Sequence, residues 1–389
     1  MGIALILFII IAIQRKMVNT LLYDRLMQLA LVFAGIHFVT IALIKTNLHA
    51  EAAGLLIDLR FVLYFVLVYG TLTVFPRYRT LFVKVFAGGA VVVIGFALLQ
   101  LFLLPKDILA HIGYSKQTIE PYLTVDRNQQ FIRINSTLRG PNPLGAYTMM
   151  AFIFAVAYAL KYWRKLHRTQ QIGIVVSALA AALIVVTSYS RSSVIGLIVA
   201  VVAIAFYMMK PAVRKWSLLV GVPLLIIAAG SIYALRANPV VDNVIFHDNP
   251  TTAKTVSSNS AHAQSLIDSS RQFIVQPFGA GVGSTGSASL DTKNSIVIEN
   301  DYLFIAHEVG WIGLAVFLWL FVEVMHRLWQ RRASALALTA FASGLGLATI
   351  GILLPVWTDD TTSIVWWGLA AVAIATTLKG KYHGTRKSH

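Results

Sequence analysis

Apolar stretches about as long as a bilayer is thick recur along this chain, and that recurrence limits what it can fold into. They fall at roughly 2–13, 26–44, 54–74, 85–104, 142–160, 171–188, 192–209, 217–235, 300–325, 334–354 and 362–378. A hydrocarbon core needs about 20 apolar residues per helix, so the pattern predicts about eleven transmembrane helices. Only 12% of residues are charged and mean hydropathy is +0.73. A soluble domain carries about twice that share of charge, so a soluble enzyme is excluded. The expected fold is an all-α polytopic membrane bundle, treated as one domain over 1–389. With Cys 0, disulfides, thiolate metal sites and cysteine nucleophiles are excluded.

The formal net charge of +16 would suggest nucleic acid in a soluble protein. Here its placement gives a different explanation. Alternate loops at 14–25, 75–84, 161–170, 210–216, 326–332 and 379–389 hold 20 of the 32 Lys and Arg, with Asp24 and Glu323 as their acids. Short basic loops are cytoplasmic. The expectation is therefore a multi-pass protein of the cytoplasmic membrane, N-terminus outside and C-terminus inside, with no nucleic-acid partner. The first stretch is short for a span. It runs apolar then basic (Arg15, Lys16), the reverse of a signal peptide.

Both long loops, about 105–141 and 236–299, are then extracytoplasmic. The second contains TTAKTVSSNS, of weakly structured composition. Ala263, Leu266, Ile267, Ser270 and Ile274 follow at helical spacing, which predicts an amphipathic helix on the outer leaflet. The Gly-rich segment QPFGAGVGSTGS lacks the strand–loop–helix context of a phosphate-binding loop.

Seven arginines gather at or near the outer boundary: Arg60, Arg127, Arg133, Arg139, Arg191, Arg236 and Arg271. A single boundary arginine usually snorkels or caps a helix. Seven on the translocated face run against the positive-inside bias, and guanidinium forks match phosphate oxygens. A lipid-linked phosphate or pyrophosphate suits such a set. Glu299 and Asp301 stand at the mouth of the ninth stretch, with His307 and Glu308 inside it. Ionisable groups within a span are functional candidates. The plainer account makes His307 a neutral, hydrogen-bonded core residue and pairs Glu308 with a neighbouring helix. Asp359 and Asp360 are adjacent loop acids, too weak a signal for a metal; no metal or other cofactor is expected.

Three segments resemble the O-antigen ligase/polymerase family of integral-membrane glycosyltransferases. TSYSRSSVIGL at 187–197 is similar to its Ser-Arg-small motif, with Arg191 as the arginine. QPFGAGVGS at 276–284 resembles its Pro-aromatic-Gly-x-Gly turn. In ENDYLFIAHEVGWIG, Asn300 is followed by nine residues and then Gly310, Trp311, Ile312 and Gly313, the family's spacing. RINSTLRGPNPLGAY at 133–147 and LIDLRFVLYF at 56–65 resemble an Asn-Pro span start and an arginine-bearing third span. The sequence departs from the ligases at Glu299, where they carry His; a carboxylate there is closer to the polymerases. His262 stands near where an arginine would head the outer-loop helix. The ligases usually have about twelve spans.

The resemblance implies an inverting, metal-independent transfer of glycan from an undecaprenyl-pyrophosphate donor to an acceptor sugar, at the outer face of the membrane. Arg191 would bind the pyrophosphate, helped by Arg60 and by Arg133, Arg139 or Arg271. Glu299 would act as base or orient the acceptor, and Asn300 would position one of the reactants. Two other classes stand beside this one. A transporter or flippase of lipid-linked or anionic solutes places its charges near the midplane in repeated halves, and no internal repeat is present. The other is an assembly subunit without chemistry of its own.

Overall fold

The computed structural model describes residues 2–115, 117–125, 128–210, 212–214, 230–231, 234, 258–290, 296–358 and 361–375. The predicted stretch 217–235 lies almost wholly outside them. Arg127, Arg236, Asp359, Asp360, most of TTAKTVSSNS and the basic tail 379–389 lie outside them too, as does the side chain of His262.

Ten of the eleven apolar stretches are helices. They are α1 (Gly2–Gln14), α3 (Arg25–Leu43), α4 (Leu48–Val74), α5 (Arg79–Phe102), α6 (Pro141–Tyr162), α7 (Arg168–Thr187), α8 (Arg191–Met208), α10 (Asp301–Gln330), α11 (Ala335–Ile350) and α12 (Thr361–Ile374). A short α2 (Val18–Leu22) joins α1 to α3, and α9 (Ser258–Val275) is the amphipathic helix of the second long loop. Among the described residues, seven helices are long and apolar enough to cross a membrane; α1, α11 and α12 are shorter. The chain is thus an all-helical, membrane-embedded bundle. The first long loop carries one small hairpin, β1 (Leu123–Val125) and β2 (Asn128–Arg133), with Leu123 opposite Arg133.

The core is aromatic. Phe33, Phe61, Phe317, Trp357, Trp366 and Trp367 are all buried, with ring centroids 5.1 to 6.5 Å apart. Tilted and edge-on pairs of this kind add to simple area burial. Elsewhere small residues bring helices close. A side chain on Gly346 of α11 would come within 2.6 Å of the Gly196 carbonyl of α8, the close approach that small residues allow in membrane bundles.

The basic loops collect at one end. Arg15 lies over the Phe75 ring at 4.7 Å, Arg79 donates to the Ala373 carbonyl at 3.0 Å, and Arg332 donates to the Trp329 carbonyl. Their one described acidic hub is Asp24. It accepts from Arg327 at 2.9 Å and from the Tyr69 hydroxyl at 2.7 Å, and caps α3 through Leu26 N–H. Burial alone would push the Asp24 carboxyl up. The bonds from Arg327, Tyr69 and Leu26, with the Arg327 charge, outweigh burial and hold it below the usual range. A depressed folded pKa gives stability that is present above the unfolded value and lost as pH falls through the folded one. Asp24→Asn should therefore lower the melting temperature at pH 7. Its difference from wild type should shrink below about pH 4, as thermal unfolding of the purified protein across pH would record.

Candidate functional site

The other end of the bundle holds the arginines and carboxylates singled out in the sequence. α11 stops at Ile350, and its terminal carbonyls have no partner within the helix. The start of α10 supplies them. Asp301 N–H donates to the Gly351 carbonyl at 2.8 Å, Asn300 Nδ2 to Ile352 at 2.9 Å, and the Tyr302 hydroxyl to Ala348 at 2.8 Å. The other side of the Asn300 amide, Oδ1, accepts from the Tyr302 and Leu303 N–H groups at 3.0 Å and caps α10. Its amide is thus committed to backbone on both sides, and it holds the start of α10 against the loop after α11.

Asp301 is fully buried, not exposed at the mouth of the span as its sequence position suggested. Its carboxylate accepts from the Trp357 N–H, from the Thr358 hydroxyl at 2.8 Å and from the Thr358 N–H at 3.4 Å. Arg60 donates to the carbonyl of the same Thr358 at 2.8 Å. Arg60 therefore meets the 299–301 segment through one residue. It lies twelve positions into α4, about 18 Å from its start, so this network is recessed within the bundle. Glu299 is half-buried beside it.

The second group surrounds the start of α8. Arg133, at the end of β2, donates to the Ser188 carbonyl at 3.1 Å and to Asn142 Oδ1 at 2.7 Å. Ser193 donates to Ser190 at 2.9 Å, and a side chain on Gly145 would come within 2.6 Å of Ser193 Oγ. These contacts lock the ends of α6, α7 and α8 together. They leave Arg191, the first residue of α8, with an exposed side chain. Gly196 of α8 meets Ile350 of α11, so Arg191 and Glu299 flank the same helix end. Thr362 to the Pro143 carbonyl, 3.4 Å, ties α12 to this group. Arg139 and Arg271 are exposed.

The Gly-rich turn and the Gly310-Trp311-Ile312-Gly313 segment, read separately in the sequence, are in direct contact. α10 is broken at Val309 (φ −126°, ψ 15°) and Gly310 (φ 72°, ψ −177°). An unbroken helix would bond Trp311 N–H to the His307 carbonyl. Here the loop takes both partners. Trp311 N–H donates to the Pro277 carbonyl at 2.9 Å, and the His307 carbonyl accepts from Ala280 N–H at 2.6 Å. The buried Glu308 carboxylate accepts from Gly283 N–H at 3.0 Å and Thr285 N–H at 3.3 Å. Backbone of the Gly-rich loop thus holds this carboxylate. The His307 side chain is buried as a core residue would be, but its Nδ1 has no hydrogen-bond partner among the described residues, so it is not the hydrogen-bonded core histidine expected.

At Gly283 (φ 78°) a side chain would run into the Ala50 carbonyl of α4. Gly283→Ala combines left-handed strain with overpacking and should cost about 3 kcal/mol or more. Gly88, with open space around its Cα, is the comparison: Gly88→Ala should leave the melting temperature in detergent unchanged.

One pair escaped the sequence argument. His37 of α3 and Asp58 of α4 are both buried, with Nε2 and Oδ2 3.7 Å apart. His37 Nδ1 donates to the Phe33 carbonyl at 2.9 Å. The signal available in the sequence is that both residues are ionisable and lie inside apolar stretches.

No protein-family model matches the chain, and no curated protein matches it. Among the described residues, no group of three or more His, Asp or Glu is arranged to hold a metal ion.

Proposed function

We propose that the chain is a membrane-embedded glycosyltransferase of the O-antigen ligase/polymerase type. It would transfer or polymerise glycan from an undecaprenyl-pyrophosphate donor onto an acceptor sugar at the outer face of the cytoplasmic membrane. The observation that carries this proposal is that Asn300, beside Glu299, binds the loop after α11, that Arg60 donates to Thr358 of the same loop, and that α8, which Arg191 begins, packs on the last turn of α11.

The acceptor hydroxyl oxygen attacks the anomeric carbon and its proton passes to Glu299. The bond from that carbon to the pyrophosphate breaks on the far face, inverting the centre, and the lipid pyrophosphate leaves. Arg191 and Arg60 balance the charge that grows on it. Arg133, already held by Ser188 and Asn142, fixes the start of α8 from which Arg191 projects. Arg139 and Arg271 extend the cationic surface toward the incoming glycan. The carboxylate at Glu299 favours a polymerase over a ligase.

The buried His37–Asp58 pair favours a second reading, a transporter or flippase of lipid-linked or anionic solutes, because ionisable pairs inside spans mark substrate and ion pathways. Reconstitution in lipid with an undecaprenyl-pyrophosphate oligosaccharide separates the two. A product ladder supports a polymerase, and a single product that needs added acceptor supports a ligase. Lipid crossing between leaflets without product supports the transporter and sinks the enzyme.

A further inference from the structure

The end opposite the candidate site carries a groove that the proposed reaction does not use. It lies between α6 and α7 and encloses about 830 Å³. Its walls are apolar, from Ala155 and Val156 on α6 to Val175 and Leu179 on α7. It closes at the turn between the two helices, where Lys161, Trp163, Arg164 and Lys165 line it. From Ala155 to Lys161 is six residues, about 9 Å along the helix. The groove therefore runs from a cationic rim toward the bilayer interior.

Two physical constraints define its occupant. An apolar recess open to hydrocarbon offers water no hydrogen-bond partners and is filled by lipid chain instead. The rim then selects the headgroup. Arg164 and Lys165 are exposed. Lys161 is held beside them by donating to the Tyr207 hydroxyl and lying 4.3 Å over its ring. Basic pockets between transmembrane helices bind phosphate headgroups, and a guanidinium fork matches phosphate oxygens. Trp163 lines the same rim, and indoles anchor at membrane interfaces.

We propose that the α6–α7 groove is a binding site for an anionic phospholipid, with an acyl chain between the helices and its phosphate on Arg164 and Lys165. The site is distinct from that of any pyrophosphate donor, which the arginines of the other end would hold, and it stands whether or not the chain is a glycosyltransferase.

Native mass spectrometry of the purified full chain tests this with phosphatidylglycerol, phosphatidylcholine of the same chains serving as the neutral comparison. Wild type should retain phosphatidylglycerol preferentially. The double variant Arg164→Ala/Lys165→Ala should retain it about tenfold less or weaker. Ala178→Trp, which fills the groove without changing charge, should lose it as well. Arg77→Ala, which removes another exposed cation at the same end, should bind as wild type does. Equal retention of the two lipids by wild type would overturn the proposal. So would full binding by Ala178→Trp, which would mean diffuse surface charge. Displacement of phosphatidylglycerol by millimolar inorganic phosphate would also overturn it, since the chain would then contribute nothing.

Discussion

Glu299→Gln and Arg191→Ala should each lower the initial rate of glycan transfer by about 10²-fold or more in the reconstituted assay. Glutamine keeps the shape of Glu299 but cannot take the acceptor proton. Alanine at 191 removes the charge that, on the proposed assignment, balances the departing pyrophosphate. Glu299 is half-buried and Arg191 exposed. Melting temperatures measured beside the rates separate a loss of chemistry from a loss of fold. Arg191→Lys should recover part of the rate, because it restores a charge without the fork that grips two oxygens. Wild-type rates in Glu299→Gln or Arg191→Ala would end the proposed assignment.

Asp301→Ala should act on folding first, destabilising the bundle by about 3–5 kcal/mol. The wild-type carboxylate is wholly buried and satisfies the Trp357 N–H and both donors of Thr358. Alanine leaves three buried donors unpaired, each at the full cost of desolvation. The damage should spread to Arg60, whose partner is the carbonyl of that same Thr358. Asp301→Asn keeps the volume but turns an amide NH₂ or one carbonyl toward donors, and should fall between the two. Thermal unfolding in detergent, with limited proteolysis of the 351–358 loop, measures both effects. A melting temperature unchanged in Asp301→Ala would show that the loop holds itself.

Hydropathy made most of the helices legible, because span length and loop charge are properties of local sequence. The α9 amphipathic pattern was legible for the same reason, and its apolar Leu266, Ile267 and Ile274 are exposed. The break in α10 was not legible. Its apolar run continues past Gly310, and one glycine inside a span is common; what breaks the helix is the loop that takes the partners of Trp311 and His307. Asp301 shows the converse. A carboxylate at a helix start suggests solvent, and its burial depends on backbone donors more than fifty residues away. The His37–Asp58 pair needed two helices brought together before either residue gained meaning.

The clasp between the Gly-rich loop and α10 also fixes an order of assembly. The kinked backbone at Val309 and Gly310 has lost the His307–Trp311 bond, and in a membrane interior an unmet peptide group is costly. Only the loop meets those groups. During insertion, with the loop undocked, α10 enters as a continuous helix that keeps its own bonds. It bends afterwards, as residues 277–285 settle against it and against α4. The bend, and the burial of Glu308 against Gly283 and Thr285 that goes with it, is then completed after insertion, so a chain can be fully threaded through the membrane before this part of its fold exists.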